Sequence, residues 1–206
     1  FIPRTDFIIQ DVGYDIFPMS WERVEGIANL KEILIPCVGD VKVLYHHSID
    51  ELEKFKSLQK LFQDNLNNSD YTREIAKDKF ECACKIYSQL KNCNNLMKVR
   101  LFAGHIIMIL ADAVAIYNHD YFHFGLKKQY EDLYRFESIP ACFIKEYENV
   151  IQSEKADKIK AHCWNLIKEF ADFMAIEYVE EEPKKEEKAI TGVVKQNTDF
   201  YFLARL

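Results

Sequence analysis

The chain has 206 residues, carries a net charge of −6, and is 49% hydrophobic with 15 Phe and 11 Tyr. That is enough apolar material for one large domain or two small ones. The acidic balance excludes the basic surface that non-specific nucleic-acid binding requires.

Six cysteines (Cys37, Cys82, Cys84, Cys93, Cys142, Cys163) form no CxxC pair. Reduced, mostly buried thiols in a cytoplasmic protein are therefore expected, with Cys82 and Cys84 on different sides of a helix. The six His form no HExxH or comparable metal motif, and no GxSxG, Walker or GxGxxG sequence occurs. Gly104, His105 and Asp112 interrupt the longest apolar run, so no membrane span and no membrane partner are expected. No secretory leader is recognisable. The chain opens on Phe1-Ile2-Pro3 without an initiator Met, as expected if it begins inside a longer protein.

Residues 1–47 read as α/β. Phe7-Ile8-Ile9 and Tyr14-Asp15-Ile16-Phe17 are strand-like around Gly13, Ser20 is placed to cap a short helix through Leu30, and Val41 to Tyr45 alternates like a third strand. These strands are too few to close a stable sheet by themselves. From Ser48 the pattern becomes helical. Ser48-Ile49-Asp50-Glu51 is a capping box, followed by the apolar stripe Leu52, Phe55, Leu58, Leu61 and Phe62. A break at Asn65 to Ser69 precedes helices over about 71–90 and 96–117. The second of these, apolar nearly all round from Leu101 to Ile116, should be the central buried helix. Further helices are expected over about 124–136, from Pro140 to Val150, and from a Ser153 cap to about Ile176 with Ile159, Trp164, Ile167, Phe170 and Phe173 inward. Short loops imply antiparallel neighbours.

The fold class is thus mainly α: an antiparallel bundle of five to six helices over 48–178, following a partial α/β sheet. Glu180 to Lys188 is a charged linker. The tail from Ile190 to Leu206, with Phe200-Tyr201-Phe202-Leu203, either adds a strand to a sheet edge, clips onto a partner chain, or stays disordered.

Among polar residues, Glu81 and Lys85 lie one helical turn apart on one face, flanked by the apolar Phe80 and Cys82. Such a pair is either an ordinary surface ion pair or a carboxylate and ammonium at the edge of a buried surface, able to take a hydroxyl proton and to hold a phosphate. Asp15 is either an exposed acid of an edge strand or a carboxylate facing a cleft as metal or substrate ligand. His105 and Asp112, seven apart, suggest an internal hydrogen-bond pair, with a pocket role as the alternative. His119, Asp120 and His123 have a spacing that suits a loop better than a metal site.

The segment Phe80-Glu81-Cys82-Ala83-Cys84-Lys85, the apolar helix after it, and Ser138-Ile139-Pro140 with Tyr147 resemble the C-terminal helical domain of the kanamycin nucleotidyltransferase-like antibiotic adenylyltransferases. Tyr14-Asp15-Ile16 followed by Ser20-Trp21-Glu22 resembles the last strand of that family's catalytic sheet and the helix after it. The resemblance spans about residues 5–178. It implies a nucleotidyltransferase fold over 1–47, a substrate- and nucleotide-binding bundle over 48–178, and a linker and tail over 179–206. It also implies Mg²⁺, ATP as donor, a small-molecule hydroxyl acceptor of the aminoglycoside type, antibiotic resistance, and a homodimer.

Carried over by position, Glu81 is the general base on the acceptor hydroxyl and Lys85 contacts the triphosphate. Asp15 is the last acid of the strand triad, near metal or acceptor, and Asp78 helps hold a cationic acceptor. The chain departs from the family in two ways. Its Gly-Ser loop and Asp-x-Asp pair are not in these 206 residues, and Cys84 replaces a motif glycine. The alternative is a non-catalytic helical module of that fold that binds a nucleotide or a protein.

Overall fold

The computed structural model describes residues 5–125 and 128–177. The linker and tail expected beyond residue 178 lie outside the described residues. The protein is mainly helical, with one small antiparallel sheet. Strands β1 (Thr5–Ile9) and β2 (Val12–Ile16) pair with Asp6 opposite Asp15 and Phe7 opposite Tyr14. The two-residue loop between them puts Gln10 at φ 49° and Asp11 at φ 63°, the left-handed geometry that matches the twist of a tight hairpin.

Helix α1 (Trp21–Ala28) starts at Ser20, whose hydroxyl accepts a hydrogen bond from Arg23 N at 3.3 Å. A single turn, α2 (Pro36–Gly39), follows. The expected strand from Val41 to Tyr45 does not form. No strand lies beside it among the described residues, and Leu44 and Tyr45 are over four-fifths exposed. Alternation without a ladder partner leaves the backbone irregular.

Helix α3 (Ile49–Leu66) begins at Ser48, whose hydroxyl accepts from Glu51 N at 3.2 Å. Helices α4 (Ser69–Lys91) and α5 (Leu96–Tyr117) start from Asn68 and Asn95, each of which accepts a backbone N–H three residues on. Four residues join these two long helices, which pack along their lengths as an antiparallel hairpin. The expected helix over 124–136 is broken. Gly125 stands at φ 66°, and the described residues beyond it include a short helix α6 (Gln129–Asp132) and a 3₁₀ turn (Leu133–Arg135). Pro140 leads into the turn that precedes α7 (Phe143–Gln152), while Ser153 closes α7 rather than opening the next helix. Helix α8 (Ala156–Met174) ends at Ala175 in the left-handed region.

From His105 to Ile116 every α5 side chain except Met108 is buried, covered by α4, α7 and α8. Phe80 stacks on Phe170 at 5.5 Å, and Tyr87 stacks on Trp164 at 5.4 Å. By length and composition α5 would suffice to cross a membrane, contrary to the expectation from its polar interruptions; 67% of its most apolar window is buried inside the bundle. Cys163 is fully buried and its thiol is pushed up to about 12 by that burial, which leaves it unreactive. A second cluster (Val24, Ile27, Leu30, Val38, Phe62, Leu66) joins α1, α2 and α3 to Ile116 and Tyr121 at the end of α5.

Two helical turns, about 10 Å of rise, separate His105 from Asp112. Its partner is Lys79 of α4, whose Nζ stands 2.7 Å from Oδ2 in a charge contact rather than a directed hydrogen bond. Burial lowers the His105 pKa, so its ring is held neutral. Replacing Asp112 by Ala strands the Lys79 ammonium in the bundle. A loss of about 3–5 kcal/mol in urea unfolding is expected, with the Lys79→Met/Asp112→Leu pair recovering most of it; a single variant within 1 kcal/mol of the parent would contradict this account.

Candidate functional site

Helix α4 turns its buried stripe (Thr72, Ala76, Phe80, Ala83, Tyr87) toward the bundle and leaves an exposed band opposite. Asp78, Glu81 and Lys85 all lie in that band and are exposed. The apolar neighbours Phe80 and Ala83 point inward, so the Glu81–Lys85 turn stands on the outside of the bundle. A proton acceptor and an ammonium on one exposed face are accessible to a bound molecule from outside.

Asp15 is also exposed, on the hairpin. Strand alternation gives this hairpin two unlike faces. Phe7 and Tyr14, stacked at 5.3 Å, share one face with Ile9, Val12 and Ile16. Asp6 and Asp15 share the other with Ile8 and Gly13. Directly opposed residues in such a ladder have β-carbons about 5 Å apart, so the two acids stand opposite each other on one face of the hairpin. Asp6 escaped sequence reasoning because its role depends on register. The signal was the two-residue loop at Gln10-Asp11, which makes 6 and 15 partners.

A cleft of about 480 Å³ opens where the first turn of α4 meets the end of α5 and residues 135–138. None of the four residues proposed from the sequence lines it. His119, at φ 56°, places its Nδ1 at 2.7 Å from Leu66 O and its Nε2 at 3.3 Å from Ser69 Oγ. With Nδ1–H donating to the carbonyl, Nε2 is left to accept the serine hydroxyl in the neutral ring. Asn118 holds the far wall with both ends of its amide. Its Oδ1 accepts from Ser138 N at 2.9 Å, and its Nδ2 donates to Ser138 O at 2.6 Å.

Behind the cleft a polar hub ties the N-terminal helices to the bundle. Tyr121 donates its hydroxyl to Asp40 Oδ1 at 2.9 Å, and His123 Nδ1 lies 2.8 Å from Asp40 Oδ2. His123 Nε2 lies 3.2 Å from Asp120 Oδ1, so both ring nitrogens face carboxylate oxygens. Asp120 Oδ2 in turn faces Arg135 at 3.3 Å. Burial, then the hydrogen bond to Asp40 and the charges of Asp40 and Asp120, raise the Tyr121 hydroxyl far above its ordinary value. The hub therefore ties Asp120, Tyr121 and His123 to Asp40 and Arg135. Among the described residues, no group of three or more His, Cys, Asp or Glu gathers in a metal-binding arrangement.

A third polar cluster lies between α7 and α8. Burial pushes the Glu146 carboxyl up, but hydrogen bonds from His162, Asn165 and Asn149 and the charge of His162 outweigh it and hold the group below the usual carboxylate range.

Comparison of the chain with protein-family models, with curated proteins and with solved structures finds no match in any of the three.

The hub depends on one close approach. A β-carbon on Gly39 would stand 2.7 Å from Tyr121 Cζ and 3.0 Å from Phe62 Cε1. Gly39→Ala is expected to push Tyr121 off Asp40 and to cost about 1–3 kcal/mol, read as a lowered Tm; an unchanged Tm would show that Tyr121 has room to spare.

Proposed function

We propose that this chain supplies the acceptor side of a nucleotidyltransferase centre, in which a nucleoside monophosphate passes from Mg–ATP to a hydroxyl of a small molecule and pyrophosphate leaves. The observation that carries the reading is the hairpin, with Asp15 and Asp6 side by side on one face and an apolar layer on the other. A strand pair of that kind is built to pack on one side and to present acids on the other. Mg²⁺ is held by one or two carboxylates together with waters and substrate phosphates, and the Asp6–Asp15 pair matches that need in ligand type and number. When bound, the ion neutralises charge on the reacting phosphate.

In this reading the two domains divide the work. Residues 1–47 give the end of the catalytic sheet, and the antiparallel bundle over 48–178 gives the outer face of α4. There Glu81 accepts the proton of the acceptor hydroxyl, and Lys85 holds a triphosphate oxygen. Asp78, one turn before Glu81, attracts a cationic acceptor such as an aminoglycoside, in keeping with the net acidic chain. The centre is completed in a homodimer, the protein is cytoplasmic, and resistance to an antibiotic of that class is the biological consequence.

A second reading takes the exposed band of α4 as a binding surface alone. It makes the bundle a non-catalytic module that binds a nucleotide or a protein.

Turnover separates the two. Glu81→Gln in the full-length protein should bind ATP as the parent does and lose about 100-fold in transfer rate, and Lys85→Ala should weaken ATP binding more than it lowers stability. Unchanged turnover in Glu81→Gln removes that residue from the mechanism, and ATP binding without transfer to any hydroxyl acceptor favours the module.

A further inference from the structure

We propose that the cleft between the start of α4 and the end of α5 binds a phosphorylated small molecule, its phosphate clamped by Arg73. The site is separate from the exposed face of α4: Arg73 precedes Glu81 by eight residues, about 12 Å of helix rise. Its volume of about 480 Å³ suits a ligand of sugar-phosphate or mononucleotide size.

The charges in the cleft are not equivalent. Arg135 is already spent: it faces Asp120 at 3.3 Å and Asp132 at 3.6 Å, and donates to Tyr121 O at 3.1 Å. Asp120 is spent as well, on Arg135, on His123 and on the Tyr121 N–H. Arg73 is different. Its guanidinium donates to Met174 O at 3.3 Å, the last residue of α8, and makes no ion pair with a described residue. One bond orients the group at the cleft and leaves most of its five donors for a ligand. A guanidinium held in this way is suited to two parallel bonds to a phosphate.

The remaining walls fit the rest of such a molecule. The Ser69 hydroxyl and His119 Nε2 sit together at 3.3 Å beside Arg73. Tyr117 and Phe136 supply aromatic surface, each braced by another ring: Tyr117 by Phe173 at 4.6 Å and Phe136 by Phe122 at 5.5 Å. Glu137 is the acid left at the rim. It opposes an anion, so its removal should help binding, a prediction that a purely structural role for Arg73 does not make.

Calorimetry at low ionic strength tests the site on the full-length protein, with ribose 5-phosphate and inorganic phosphate as probes. Ribose 5-phosphate should bind more tightly than phosphate alone. Arg73→Ala should weaken binding about tenfold or more, Arg73→Lys should retain part of it, Glu137→Gln should tighten it severalfold, and Lys85→Ala should leave it unchanged. Equal affinity in Arg73→Ala would overturn the proposal, as would loss confined to Lys85→Ala, which would place the phosphate on the outer face of α4. Equal affinity for the two probes would overturn the assignment of a phosphorylated small molecule.

Discussion

A helix that is apolar on every side must be covered on every side, and α5 imposes that demand on its surroundings. Between His105 and Ile116 it buries six Ile, Leu or Val side chains, each worth about 1.5–3 kcal/mol when removed from water. Helix α4 answers along its whole length, α7 and α8 close the opposite side, and the N-terminal helices cover the last turn through Ile116. The Lys79–Asp112 contact is a charged feature inside this apolar seam. A buried ion pair gains little net stability, because both charges are desolvated. It penalises a shifted register, since sliding α4 against α5 by one turn separates the charges.

Where α5 ends, its demand ends too, and polar chemistry collects there. Residues 118–123 leave the helix through a left-handed His119 and meet Leu66 O, Ser69, Asp40 and Arg135 within a few residues. The hub and the cleft are two sides of this junction. The hub consumes nearly all of its own charge, and the cleft retains one oriented guanidinium. The hairpin and the outer face of α4 differ again: their acids and bases are exposed on elements whose other faces are apolar. The candidate chemical groups of this chain therefore sit at the margins of a core in which buried polar side chains such as His105, Asp112 and Gln129 are few among the described residues.

Local rules were read from the sequence wherever they decide structure. Ser20 and Ser48 cap helices as their hydroxyls predict, and α5 has the bounds its pattern implies. Ile159, Ile167 and Phe170 of α8 are buried as its stripe implies, while Trp164 and Phe173 are half-buried and Cys163, Leu166 and Met174 take inward places that were not expected. Misreadings arose where a partner or a backbone angle decides. Val41 to Tyr45 alternates but has no strand to pair with. The 124–136 segment has helical spacing but contains Gly125 at positive φ. Asp112 was visible as a buried acid, yet its partner comes from another helix, which periodicity within α5 cannot name. For the site, Asp15 was legible as an acid in a strand. Asp6 was not, because only the hairpin register brings the two together. Arg73 and the cleft were invisible for the same reason: the cleft is assembled from segments nearly seventy residues apart.

The central claim is that the acid face of the hairpin takes part in holding Mg²⁺ and nucleotide. Calorimetry of ATP with Mg²⁺ on the full-length protein, parent against Asp15→Asn, addresses it most directly. The account predicts magnesium-dependent binding that falls by at least the roughly tenfold that losing one supporting group costs a metal site. Equal affinity in the two proteins, or no binding by the parent, would contradict it.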